Sequence, residues 1–78
     1  MDDRERALAQ LHDAIARMPS WAVGPCQYHG ETAHWYVSAI DLGPRGRQAK
    51  REAVTATGAT ELAALRTLVE LLEDRMGK

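Results

Sequence analysis

The chain has 78 residues, 45% of them hydrophobic and 27% charged, with a formal net charge of −1. That length predicts one domain of modest stability, burying about 60–65% of its unfolded surface. The composition excludes a disordered chain and a binder that is basic over a whole face, and no apolar run approaches the roughly 18–20 residues that span a bilayer.

The single cysteine, Cys26, rules out an intrachain disulfide and fits a reducing compartment. The opening "MDDRERALAQ" is charged from its second residue and has no apolar signal region, so a cytoplasmic location is expected. Ala and Arg are abundant and Lys occurs only at Lys50 and Lys78, a usage that fits a small protein from a GC-rich bacterial or phage genome.

In chain order, Asp2 and Asp3 offer a cap to a first helix whose apolar stripe is Leu8, Leu11, Ile15 and Met18. Pro19 biases Met18 away from helical angles and ends it there. "WAVGPCQYH" (21–29) follows as a first strand, which Gly24 and Pro25 demote to an edge or bulged one. "GET" at 30–32 turns the chain into "HWYVSAIDL" (34–42), an aromatic and β-branched strand. Gly43, Pro44 and Gly46 then join it to a hairpin partner at 49–57. Gly58 reads as a turn glycine, Thr60 as an N-cap, and Glu61 as a favourable charge in the first turn of a last helix. Its stripe is Leu62, Leu65, Val69, Leu72 and Met76, widened by Ala64, Leu68 and Leu71.

The order is αβββα, an α+β fold with a three-stranded antiparallel sheet and both helices packed on one face. The other face of the sheet is left open. In the strand 34–42, His34, Tyr36, Ser38, Ile40 and Leu42 point one way, and Trp35, Val37, Ala39 and Asp41 the other. Neither set is plainly polar, so whichever faces outward puts aromatic or aliphatic surface in the open. Trp35, Tyr36 and Ile40 are the candidate protein-interface residues, and parity leaves open which of them is exposed.

Charge is unevenly placed. Residues 41–53 hold four of the ten basic and two of the eleven acidic side chains, +2 in all, which leaves six basic and nine acidic, −3, for the rest. Arg45, Arg47, Lys50 and Arg51 in "DLGPRGRQAKREA" are therefore the nucleic-acid candidates, suited to phosphate contacts without base reading. A polar, solvated hairpin turn accounts for the same residues.

Catalytic chemistry finds no anchor. Cys26, His29 and His34, with Glu31, have a C-x2-H-x4-H spacing that matches no zinc pattern, and residues 26 and 29 of one extended strand face opposite sides. Cys26 has no orienting acid near it in sequence, the carboxylates are scattered along the helices, and "GPRG" lacks the spacing and following helix of a phosphate loop. No metal, cofactor or small-molecule substrate is expected.

The element order resembles that of the double-stranded-RNA-binding domain, over nearly all of the chain. The turn "HGETAH", with His34 before the aromatic strand, is one a family member could carry. The resemblance implies a phosphate grip at the start of the second helix. There this chain has "ATELAALR", with Glu61 in place of the family's lysine cluster. The passage "TGATELAALRTLVELL" is similar to the strand-to-helix start of HicB-type antitoxins, matching at Gly58, Thr60, Ala64 and Leu65, with Leu62 and Ala63 in place of the usual acidic pair. The reading these residues support is a non-enzymatic binding or regulatory module. Its first mode is protein association or homodimerisation through the open sheet face. The alternative is weak, sequence-independent nucleic-acid binding through the basic hairpin.

Overall fold

The computed structural model describes residues 2–42 and 52–77. Helix α1 spans Asp3–Ala16. It starts where Asp2 Oδ1 accepts the Glu5 N–H at 2.7 Å, which satisfies one of the orphan donors of its first turn, and where the Asp2 carbonyl accepts the first intrahelical bond, from Arg6 at 3.0 Å. Ahead of Pro19 the end tightens: Arg17 and Met18 donate to the carbonyls three residues back, of Ala14 at 3.1 Å and Ile15 at 2.9 Å.

Four strand segments follow: β1 (Trp21–Val23), β2 (Gln27–His29), β3 (His34–Asp41) and β4 (Ala53–Gly58). β1 and β2 pair antiparallel with the same edge of β3, and β4 pairs antiparallel with the other. Val23 lies opposite Ala39, and Gln27 opposite Tyr36. Residues 24–26 therefore face only residues 37–38, and the extra residue is a β-bulge, pinned by Gly24 donating to the Ser38 carbonyl at 3.0 Å. β1 and β2 are thus one edge strand interrupted at Gly24 and Pro25. The turn at 30–33 closes with Ala33 in the left-handed region, φ 53°.

β4 runs to Gly58, one residue beyond the expected strand end, and the Gly58 backbone is extended rather than turned. What Gly58 supplies is space. A Cβ there would lie 2.7 Å from both the Ala63 Cβ and the Ala64 nitrogen. The chain then enters α2 (Glu61–Gly77) through Thr60, whose Oγ1 accepts the Ala63 N–H at 3.1 Å.

The core lies between the sheet and the two helices, which share one side of it. Ala7, Leu11, Ala14 and Met18 of the α1 region, Val37 and Ala39 of β3, Ala56 of β4, and Ala64, Leu65, Leu68, Val69 and Leu72 of α2 are buried. The buried row of α1 is rotated from the expected stripe: Ala7 and Ala14 replace Leu8 and Ile15, which are half-buried at its border. A pattern that counts only large side chains overlooks the alanines through which a helix approaches its neighbour closely. No described helix is long and apolar enough to cross a membrane.

Candidate functional site: the open face of the sheet

The pairing of β3 settles which side chains share a face. Val37 and Ala39 are buried under the helices, so Trp35, of the same parity, is on that side and packs half-buried against the core. Its ring meets Tyr28 at 5.4 Å between centroids. Tyr36 and Ile40 lie on the opposite, open face, about 14 Å apart along the strand at about 3.4 Å per residue. Of the three interface candidates the structure places two on the same open face and turns the third inward. Arg45, Arg47, Lys50 and Arg51 lie outside the described residues.

Neighbouring strands complete the face. β1 contributes Ala22 opposite Ile40, β2 contributes Gln27 opposite Tyr36 and His29 opposite His34, and β4 contributes Ala53, Thr55 and Thr57. The polar groups tie to each other. The Tyr36 hydroxyl donates to Gln27 Oε1, and the Ser38 and Thr55 hydroxyls are 3.0 Å apart. His29 stacks near His34 with centroids 6.2 Å apart and meets the edge of Tyr36 at 5.0 Å. His29, His34, Tyr36, Thr55 and Thr57 line a shallow hollow of about 370 Å³. At the other end, beside Leu42, Ile40 is 38% exposed. Sequence reasoning did not name the residues of the neighbouring strands, because only the register places them beside Tyr36.

One property distinguishes this face. Among the described residues of its strands it carries no Asp, Glu, Lys or Arg. Among the described residues, most charged side chains lie on the helices, at their ends or on their side of the sheet. Arg4 Nε donates to Glu61 Oε1 at 2.8 Å, Arg17 pairs with Asp13 at 3.0 Å, and Arg75 pairs with Glu52 while lying 5.2 Å from the centre of the Trp21 ring.

A second hollow, of about 490 Å³, opens on the helix side between α1 and the bulge. Leu11, Val37 and Leu65 form its floor and are the core itself, at most 2% exposed. Arg4, Glu61 and Cys26 stand at its mouth. Burial, with the Glu61 charge adding to it, pushes the Cys26 thiol up, and Arg4 opposes this only in part. A raised thiol holds less thiolate at neutral pH and is a poor nucleophile. The described residues contain no group of three or more His, Cys, Asp or Glu side chains placed to hold a metal ion. Cys26, His29 and His34 do not converge: His29 and His34 are on the open face, and Cys26 lines the hollow behind it. No protein family, curated protein or solved structure matches the chain.

Proposed function

We propose that this chain is a non-enzymatic binding module that associates with a protein partner through the open face of its sheet. The observation that carries the reading is the absence of carboxylate, ammonium and guanidinium groups from the described strands of that face, in a chain that is 27% charged. Depletion of charge with retained tyrosine is the composition of an interface core, because every charge buried there has to be desolvated. Tyr36 and Ile40 are the anchors, and the Ser38 and Thr55 hydroxyls and the Gln27 amide beside them supply hydrogen-bonding groups.

The test is affinity capture with the immobilised wild-type chain beside a Tyr36→Ala/Ile40→Ala variant, and a Glu70→Ala/Glu73→Ala variant on the outer side of α2 as control. The expected result is a protein held by the wild type and the control and lost from the double variant, whose circular dichroism stays native. Truncating each anchor weakens the isolated pair by about 1–2 kcal/mol. Equal retention by all three chains refutes the reading.

A second reading rests on the +2 stretch at 41–53, which leaves β3 beside a face without carboxylates. Binding of labelled duplex RNA or DNA there would show little sequence preference and a log–log salt slope no steeper than about −4, one unit for each of the four cations. Anisotropy that is unchanged when Arg45, Arg47, Lys50 and Arg51 are neutralised removes it.

A further inference from the structure

The two edges of the sheet are built differently. On the β1/β2 side, three-residue strands, a bulge and Pro25 interrupt the ladder, the usual devices that keep an edge from pairing with another chain. β4 has none of these. Its sequence "AVTATG" is uninterrupted, uncharged and free of proline, and among the described residues it pairs only with β3.

The direction of its free backbone groups follows from the ladder. Asp41 donates to the Glu52 carbonyl at 2.8 Å, which makes 41/52 a hydrogen-bonded pair. Such pairs alternate along antiparallel strands, so Val54, Ala56 and Gly58 also turn their groups toward β3. The other side of β3 agrees: Leu42 donates to the Ser20 carbonyl at 2.8 Å, and the Ser38 carbonyl accepts from Gly24. Ala53, Thr55 and Thr57 are left with three N–H and three C=O groups directed away from the sheet.

That set is self-complementary. Under a two-fold axis through Thr55, Thr55 faces its own counterpart and Ala53 faces the Thr57 of the second copy. All six outward groups then find a partner in each chain. No like charges meet, because Ala53–Gly58 carries none. The flank of α2 turned away from α1 also suits an approach. Arg66 reaches toward Asp3 of α1 at 4.0 Å, whereas Leu71, about 140° farther round the helix, is 41% exposed beside Thr67.

We infer that β4 is a self-pairing edge: a second copy of this chain adds its β4 antiparallel, centred on Thr55, and two sheets become one. The proposal goes beyond the open-face reading and does not depend on it. Its consequence is a continuous sheet whose open face is doubled, with two copies of Tyr36 and Ile40 on one surface.

Sedimentation of the full chain up to high micromolar concentration tests it. The wild type is expected at twice the chain mass, with Tyr36→Ala/Ile40→Ala indistinguishable from it. Thr55→Lys and Thr55→Glu, each placing like charges across the axis, are expected to dimerise at least ten-fold more weakly when alone. An equimolar mixture of the two should dimerise again. Amide exchange on the wild type adds a reading that needs no variant: Ala53, Thr55 and Thr57 become protected as concentration rises, while Val54 and Ala56 are protected throughout. A wild type that stays monomeric, a Thr55→Lys chain that dimerises like wild type, a mixture that does no better than its components, or outward amides that exchange fast at every concentration overturns the proposal.

Discussion

The contact between the end of β4 and the start of α2 offers the sharpest test of the packing. Gly58→Ala adds one methyl group where the Ala63 Cβ and Ala64 nitrogen would each be 2.7 Å away and the Ala63 carbonyl carbon 2.9 Å. Two of these three neighbours are backbone atoms, so relief requires the first turn of α2 to move off the strand, against the Thr60 cap that holds Ala63 at 3.1 Å. Overpacking of this kind costs about 1–3 kcal/mol. The alanine also removes freedom from the unfolded chain, which favours folding by about 0.4–1 kcal/mol. The net loss of about 1–2 kcal/mol lowers Tm by roughly 5–15 °C in a domain of this size. Gly24→Ala is the control, because a Cβ there meets nothing within 4 Å and the Gly24 N–H keeps its bond to Ser38. Thermal and urea unfolding of the two variants should therefore separate, with Gly24→Ala at or slightly above wild type. If Gly58→Ala melts with the wild type, the close approach of strand and helix is wrong.

Two further predictions concern single groups. Ala33→Gly should stabilise the fold by about 0.5–1 kcal/mol, the left-handed penalty of about 1–2 kcal/mol less the greater unfolded entropy of glycine, and a lower urea midpoint would contradict it. The folded Cys26 thiol titrates above its ordinary value of 9.0, mainly through burial, so folding favours the protonated form. Stability from this group is fully present below pH 9 and is lost as pH rises through the folded value. Urea unfolding between pH 8 and pH 10.5 should show this alkaline loss in the wild type and less of it in Cys26→Ser. The thiol should also react with a disulfide reagent more slowly than a free cysteine does at the same pH.

The elements were legible in the sequence wherever local chemistry decides them. Asp2 and Thr60 cap the helices, Pro19 follows the end of α1, and Gly24 with Pro25 interrupts the edge strand, each for a reason confined to a few neighbours. What depends on register was not legible. In β3 both parities carry apolar residues, so alternation could not say whether Trp35 or Tyr36 faces the helices, and a one-residue change of register would exchange them. Gly58 and the α1 alanines escaped for a related reason. Their role is to let two backbones come close, and a small residue gives no sign of what approaches it. The basic stretch that most strongly marks the sequence, Arg45 to Arg51, lies outside the described residues, whereas the uncharged face is recognisable only after four strand segments are placed side by side.

The open face and the β4 edge share three residues, and this decides how the two proposals must be separated. Ala53, Thr55 and Thr57 place their side chains on the face and their free N–H and C=O groups at the edge. The coincidence follows from antiparallel pairing. Residues in the non-hydrogen-bonded pairs with β3 turn their backbone outward, and here those same residues have the parity of Tyr36 and Ile40. A substitution at Thr55 therefore perturbs both surfaces, and loss of a partner from Thr55→Lys would not say which one failed. Tyr36 and Ile40 belong to the central strand, two of whose edges are already paired, so their truncation leaves the β4 backbone untouched. A chain that keeps dimerising but loses its partner in Tyr36→Ala/Ile40→Ala, and regains both when Thr55→Lys is mixed with Thr55→Glu, requires two surfaces working together. One that loses both activities in Tyr36→Ala/Ile40→Ala has a single surface, and the face rather than the edge holds the second copy.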